Sequence, residues 1–148
     1  MILIWTVMRV RKRWGSLRVK LMPDALERYR CLAVDVFSVA ASLRDEEELF
    51  RGFAEAGLSA ILVLDAWNET QLPLARRYLE LCAKYGLDCV PSEHRPAEEA
   101  AVELACRDNC AVLTRDYDAL RRALELNCEV PILIVRRGRV YRAVEVKP

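Results

Sequence analysis

Five acidic side chains in this 148-residue chain stand where they can do chemistry. Asp35 closes the apolar run Cys31-Leu32-Ala33-Val34, and Asp65 closes Ala60-Ile61-Leu62-Val63-Leu64. A third run, Cys110-Ala111-Val112-Leu113, leads into Thr114-Arg115-Asp116-Tyr117-Asp118, with two carboxylates two residues apart just beyond it. Glu98 follows Pro96-Ala97 at the start of a helical stretch, with Glu99 beside it. Short apolar runs of this kind read as strands buried on both faces. In an open parallel sheet, the carboxyl edge of such strands is where ligands bind. Taken singly, each acid has an ordinary role as a helix cap or a first-turn charge. Gathered together they repel, and the cluster is costly unless a cation sits among them. An oxygen-only donor set suits Mg2+ or Mn2+, and an acidic two-metal pocket serves in-line displacement at phosphorus.

The elements that must position these acids alternate between strand and helix. The expected architecture is therefore α/β: three layers, with helices on both faces of a central, mostly parallel sheet. Pro96 suits the first position of a helix that runs through Val102, Leu104, Ala105 and Cys106 to Asp108-Asn109. Asp45-Glu46-Glu47-Glu48 opens another helix, with Phe50, Phe53 and Ala54 as its buried stripe and Gly57 at its end. A third spans about 73–85, with Leu74, Tyr78, Leu81 and Cys82 turned inward and Gly86 as terminator. Cys89-Val90 and Pro131–Val135 supply further strands, and 140–146 an antiparallel closing strand. The N-terminus reads as a hairpin of 2–7 against 17–21, with the basic run Arg9–Trp14 between its strands. A short helix is expected over 23–29, and an irregular segment over 38–43.

The stretch from Leu79 to Leu120 resembles the core of the flap endonucleases and the wider PIN-domain nucleases. The residues that carry the resemblance are Tyr85-Gly86, Asp88-Cys89-Val90, Pro96-Ala97-Glu98 and Thr114-Arg115-Asp116-Tyr117-Asp118-Ala119-Leu120. Upstream, Leu32–Asp35 and Val63–Asp65 resemble the family's first two metal-binding strands, so the likeness runs in register over roughly residues 30–135. It implies a PIN-like fold with Asp35, Asp65, Glu98, Asp116 and Asp118 as catalytic carboxylates. Of these, Asp35, Glu98, Asp116 and Asp118 would be metal ligands. There are departures. The family's helix carries Glu-x-Glu, whereas Glu98 and Glu99 are adjacent here and Ala100 stands two on from Glu98. The insertion that threads a single strand is missing from the resemblance, as is the helical DNA-binding extension.

Composition bounds the rest. With 53% hydrophobic residues, 148 residues can build one core, so a single domain is expected: a basic hairpin over 1–22, a core over 30–135 and a closing segment over 136–148. No run approaches the ~20 apolar residues of a membrane helix, and no signal-peptide pattern is seen, so a cytoplasmic protein is expected. Net charge is +1 but unevenly spread: +6 over 1–30, −9 over 31–120 and +4 over 121–148. Basic arms around an acidic core suit a protein that grips phosphates outside and holds cations inside. Arg11 and Arg13 with Trp14, and Arg95, Arg115 and Arg121 nearer the acids, are the candidate nucleic-acid contacts, pairing phosphates or stacking a base. The hairpin's charge also serves to protect an edge strand.

The six cysteines have no C-x-x-C spacing and the chain has a single histidine, His94, which argues against structural zinc. Few amides, many charges and 19 Arg among 23 basic residues suggest a thermophile, where intracellular disulfides occur. At least one cysteine pair is then expected to bridge, with Cys82–Cys89 and Cys106–Cys110 the local candidates; otherwise the six are small buried hydrophobes. The functional expectation is a Mg2+- or Mn2+-dependent nuclease acting on RNA or single-stranded DNA, with oligomeric state open. A non-catalytic PIN-like binding module with a degenerate acidic site is the alternative. A topoisomerase-primase-like metal domain also has Asp-x-Asp after a strand, but it places Glu where this chain has Asp35.

Overall fold

The computed structural model describes residues 6–12, 15–40, 45–64, 72–93 and 95–146. Its eight-stranded sheet runs β1 (Thr6–Lys12), β2 (Gly15–Asp24), β3 (Cys31–Asp35), β4 (Ser59–Leu64), β5 (Asp88–Pro91), β6 (Ala111–Thr114), β7 (Ile132–Arg136) and β8 (Arg139–Glu145) in sequence. Across the sheet the order is β1-β2-β8-β7-β6-β3-β4-β5. From β7 through β6, β3 and β4 to β5 the strands are parallel, and β8, β2 and β1 extend the sheet antiparallel.

Alternation along the parallel strands builds two cores. Ala33, Val112, Ile132 and Ile134 face α4 (Ala97–Asp108) and α5 (Asp118–Glu125). Leu32, Val34, Leu62, Leu113, Leu133 and Val135 face α1 (Val36–Ala40), α2 (Glu46–Ala56) and α3 (Leu72–Tyr85). Both sheet faces are therefore covered, which is why these strands read as continuous apolar runs. Leu62 is wholly buried, and trimming such a side chain to Ala costs about 2–5 kcal/mol.

The chain leaves β3 for β4 and β5 on one side, then returns through α4 to place β6 on the other side of β3. That reversal is the topological switch point of the sheet. Helices there diverge and leave a crevice at the carboxyl edge of β3 and β6.

Several boundaries differ from the sequence reading. Arg9 to Lys12 belong to β1 itself, because the strand pairs with β2 through Lys12↔Gly15. Pro23 and Asp24 end β2, and only Leu26–Arg28 make a 3-10 turn, stitched by Asp24 accepting from Arg28 and Tyr29. Helix α1 starts directly after Asp35 and occupies part of the segment expected to be irregular. Pro96 is the cap of α4 rather than its first residue: its extended backbone (ψ 141°) leaves its carbonyl to accept from Glu99 and Ala100. Ala54 and Leu74 lie on the solvent side of their helices, while Ala75 takes the inward place on α3.

All six cysteines are paired, as Cys31–Cys110, Cys82–Cys89 and Cys106–Cys128. The expected Cys106–Cys110 pair is not formed. Asn109 turns the chain through a left-handed residue (φ 57°) that sends Cys110 beneath β3, while Cys106 on α4 meets the segment after α5. No helix among the described residues is long and apolar enough to cross a membrane.

Candidate active site

Asp35 ends β3 inside the crevice and is only 3% exposed. Its Oδ2 accepts a hydrogen bond from Thr114 Oγ1 at 2.9 Å. Thr114, the buried last residue of β6, also accepts the N–H of Asp116 at 3.1 Å. Across the seam, Ser38 of α1 donates to the Asp35 carbonyl at 3.2 Å and accepts the N–H of Arg115 at 3.1 Å. Two hydroxyls, 3.3 Å apart, thus fasten the tips of β3 and β6 and aim the carboxyl of Asp35.

Beyond β6 the chain folds back on itself. Asp116 Oδ1 accepts the N–H of Asp118 at 2.8 Å, a local turn typical of Asp that also starts α5. Glu98 arrives from the first turn of α4, where the helix dipole favours a carboxylate. Carboxylate oxygens of Glu98, Asp116 and Asp118 all lie within 4.8 Å of one another, and all three residues are half-buried.

Crowding shows in the acid strengths. Burial pushes the Asp35 carboxyl up, against the hydrogen bonds from Thr114 and Ser38, and the charge of Asp116 adds to the rise. For Glu98, burial leads again, and the nearby charges of Asp116, Asp35 and Glu99 help carry it up to about 7. Both causes disfavour the charged form, burial first and the neighbouring carboxylates second. The donor set is oxygen-only, and that chemistry fits a hard divalent cation such as Mg2+ or Mn2+.

Of the other residues singled out from the sequence, Asp65 follows the last residue of β4 and lies outside the described residues, as do Arg13, Trp14 and His94. Arg11 pairs with Ser16 in a strand that runs away from the acidic edge. Eight residues of β2 separate Ser16 from Asp24, the level of the β8 start, or roughly 25 Å at about 3.3 Å per residue. Arg11 is therefore not brought to the cluster. Arg95 is bound to Glu103 and to the carbonyl of Ser92. Arg115 is exposed beside the cluster. Arg121, with its side chain 12% exposed, is ringed by Glu99 (3.5 Å), Asp118 (3.8 Å) and Glu125. Its guanidinium thus faces the protein's own acids.

Glu99 thus faces Arg121, and Ala100 is 7% exposed in the core, so α4 gives the cluster Glu98 alone. Thr114 and Ser38 were not among the candidate site residues. Thr114 stands in the motif itself; Ser38 carries no sequence signal beyond a small hydroxyl three residues after a strand-ending Asp.

With this geometry in view, three solved structures are informative. Human GEN1 in complex with Holliday junction DNA matches with a TM-score of 0.62 and 12% identity, over 84% of this chain and 41% of that one. The Rad2 catalytic core with DNA substrate matches at 0.56 and 14%, over 82% of this chain and 49% of its own. This fold is that of the GEN1 and Rad2 catalytic cores. GEN1 with product DNA and Mg2+ aligns at 0.54 and 18%, over 78% of this chain and 32% of that one. The resemblance to the flap-endonuclease core therefore holds for the fold, and the chain spans about a third to a half of the GEN1 and Rad2 chains it matches. No protein-family model matches the sequence, and no curated protein sequence does.

Proposed function

We propose that this GEN1/Rad2-like domain is a metal-dependent nuclease that cleaves phosphodiester bonds of RNA or single-stranded DNA. The observation that carries the reading is the meeting of Glu98, Asp116 and Asp118 within 4.8 Å at the switch point of the sheet. Asp35 lies at the same crevice, close enough for its charge to raise Glu98. Asp35, Glu98, Asp116 and Asp118 would hold Mg2+ or Mn2+, with Asp65 a further candidate. A divalent ion held there would supply the activation of water and the stabilisation of charge on a phosphate. The protein's part is positional: Thr114 fixes the rotamer of Asp35, the Asp116 turn sets the spacing to Asp118, and Arg121 steadies Asp118 from behind. Arg115 is free to approach the strand backbone. The DNA bound by GEN1 and Rad2 supports a nucleic-acid substrate, and the Mg2+ bound by GEN1 supports a divalent-metal cofactor.

One observation favours the alternative, a non-catalytic nucleic-acid- or protein-binding module. Where the resemblance expects a second glutamate, Ala100 is buried and Glu99 is tied to Arg121. The two readings part on activity. Wild-type protein is incubated with labelled single-stranded RNA and DNA in Mg2+, Mn2+ or chelator. Metal-dependent cleavage is expected. Asp116→Asn keeps the acceptor that caps α5 but deletes a charge, and should lower the rate by more than the roughly 10–100-fold typical of outer-shell changes. It should also reduce the stabilisation that Mn2+ gives. If Asp116→Asn leaves both rate and Mn2+ shift unchanged, Asp116 is a cap only and the nuclease reading fails.

A further inference from the structure

The turn joining β7 to β8 gathers positive charge, and at Arg137 and Arg139 the described residues do not neutralise it. Arg136 pairs with Arg139 in the ladder, so Arg137 and Gly138 form a two-residue loop, both with positive φ (50° and 73°). That is the signature of a type I′ turn, which favours Asn or Gly at its first central position. An L side chain there costs about 1–2 kcal/mol. Three of the four residues are nonetheless Arg. Arg137 and Arg139 are exposed, and neither makes an ion pair with any described residue. Arg136 donates to the hydroxyl of Tyr117, the residue between Asp116 and Asp118.

Position gives this charge a use. Thr114 of β6 pairs with Ile134 of β7, so Arg136 and Asp116 each stand two residues further on at the same sheet edge. Adjacent strands lie about 4.8 Å apart, which puts the turn one to two strand spacings from the acidic crevice. A cleft of about 180 Å³ opens beside it, lined by Leu21, Arg136, Arg137 and Tyr141. At ~30 Å³ per water it has room for a phosphate group and bridging waters. A polyanion approaching four carboxylates is repelled, and guanidinium forks beside them offset that repulsion by pairing phosphate oxygens bidentately.

We propose that the Arg136–Arg139 turn, with Tyr141, is a phosphate-binding subsite that holds the backbone of a single-stranded nucleic acid next to the acidic crevice. The proposal rests on the nuclease reading for its substrate, but it is tested separately from it. Binding of fluorescein-labelled oligothymidylate and oligouridylate is followed by anisotropy across a salt series, with Ca2+ present to neutralise the crevice. The comparison is between wild type and Arg137→Asn/Arg139→Gln. Asn suits the left-handed position, so the variant should melt no lower than wild type. Its affinity at low salt should fall at least tenfold. Its log–log salt slope should flatten by about 1.4, at ~0.7 per lost contact to a single strand. Arg76→Gln, an exposed charge on α3, should change neither. An affinity and slope identical to wild type, or no binding by the wild type, overturns the subsite. Cleavage in Mg2+ or Mn2+ is scored in parallel. A protein that cleaves while ignoring the turn keeps the nuclease reading and loses the subsite. One that binds through the turn and never cleaves does the reverse.

Discussion

Glu98 is the residue at which the site's electrostatics can be read in solution. Its carboxyl is raised to about 7 from an ordinary value of 4.5. The folded state therefore binds this proton more tightly than the unfolded chain does. A raised acid contributes stability that is fully present below about pH 4.5 and is lost as pH rises through about 7. In chelator, the melting temperature should fall across that window, and Asp35, shifted in the same direction, adds to the fall. Glu98→Gln should flatten the slope, and saturating Mn2+ should abolish it by giving the charged form a partner. A slope the same with and without Glu98 means the group is better solvated than its burial implies. From sequence alone, Glu98 and Glu99 were adjacent and chemically equal. Successive helical residues point about 100° apart, so only one can face the crevice, and which one depends on how α4 rolls against β3 and β6. Packing of Ala97, Ala101 and Ala105 against the sheet sets that roll. The sequence shows those alanines but not their partners.

Helices α4 and α5 are joined by a chain of charges that ends at the crevice. Arg95 binds Glu103, Glu103 binds Arg122 at 2.7 Å, Arg122 and Arg121 share Glu125, and Arg121 reaches Glu99 and Asp118. Glu125 is only 7% exposed in its side chain and Arg121 12%, so this pair is not a solvent-screened surface bridge. Removing one partner strands the other acids. Arg121→Ala should destabilise the fold by about 3 kcal/mol, the lower end for a broken buried pair. Arg121→Lys should recover little, since one ammonium cannot serve three carboxylates as a planar fork does. Chemical denaturation checks both, and a loss under about 1 kcal/mol for Arg121→Ala would show the network to be ordinary surface pairing. The sequence offers Arg121 as a nucleic-acid contact and does not show this network. A basic residue near an acidic motif looks the same whether it neutralises the protein's own acids or a ligand's. Elements fixed by periodicity were legible: the parallel strands, α2 and α4. Helix α1 was not, because Val36-Phe37-Ser38-Val39-Ala40 prolongs an apolar run with no breaker, and only the burial of Asp35 at the strand tip marks the change.

At the scale of the molecule, the site edge and the disulfides occupy different parts of the sheet. Cys31–Cys110 ties the starts of β3 and β6, and Cys106–Cys128 ties α4's last turns to the segment before β7, both at the edge opposite the acids. Cys82–Cys89 pins α3 to the outer strand β5. A bridge stabilises chiefly by restricting the unfolded chain, more for longer loops. The separations of 79, 22 and 7 residues correspond to about 4.5, 3.4 and 2.4 kcal/mol respectively on that account. Replacing each pair by alanines should therefore lower the melting temperature in that order, Cys31/Cys110 most and Cys82/Cys89 least. None of the three pairs touches the crevice, so the added stabilisation by Mn2+ should persist in each variant at a temperature where it is folded. Melting curves of the three variants with and without Mn2+ test both statements at once. Equal losses would mean that strain or residual structure outweighs loop closure. A vanished Mn2+ shift in the Cys31/Cys110 variant alone would carry a different lesson: that the tips of β3 and β6, where Thr114 aims Asp35, are held from the far end of the same two strands.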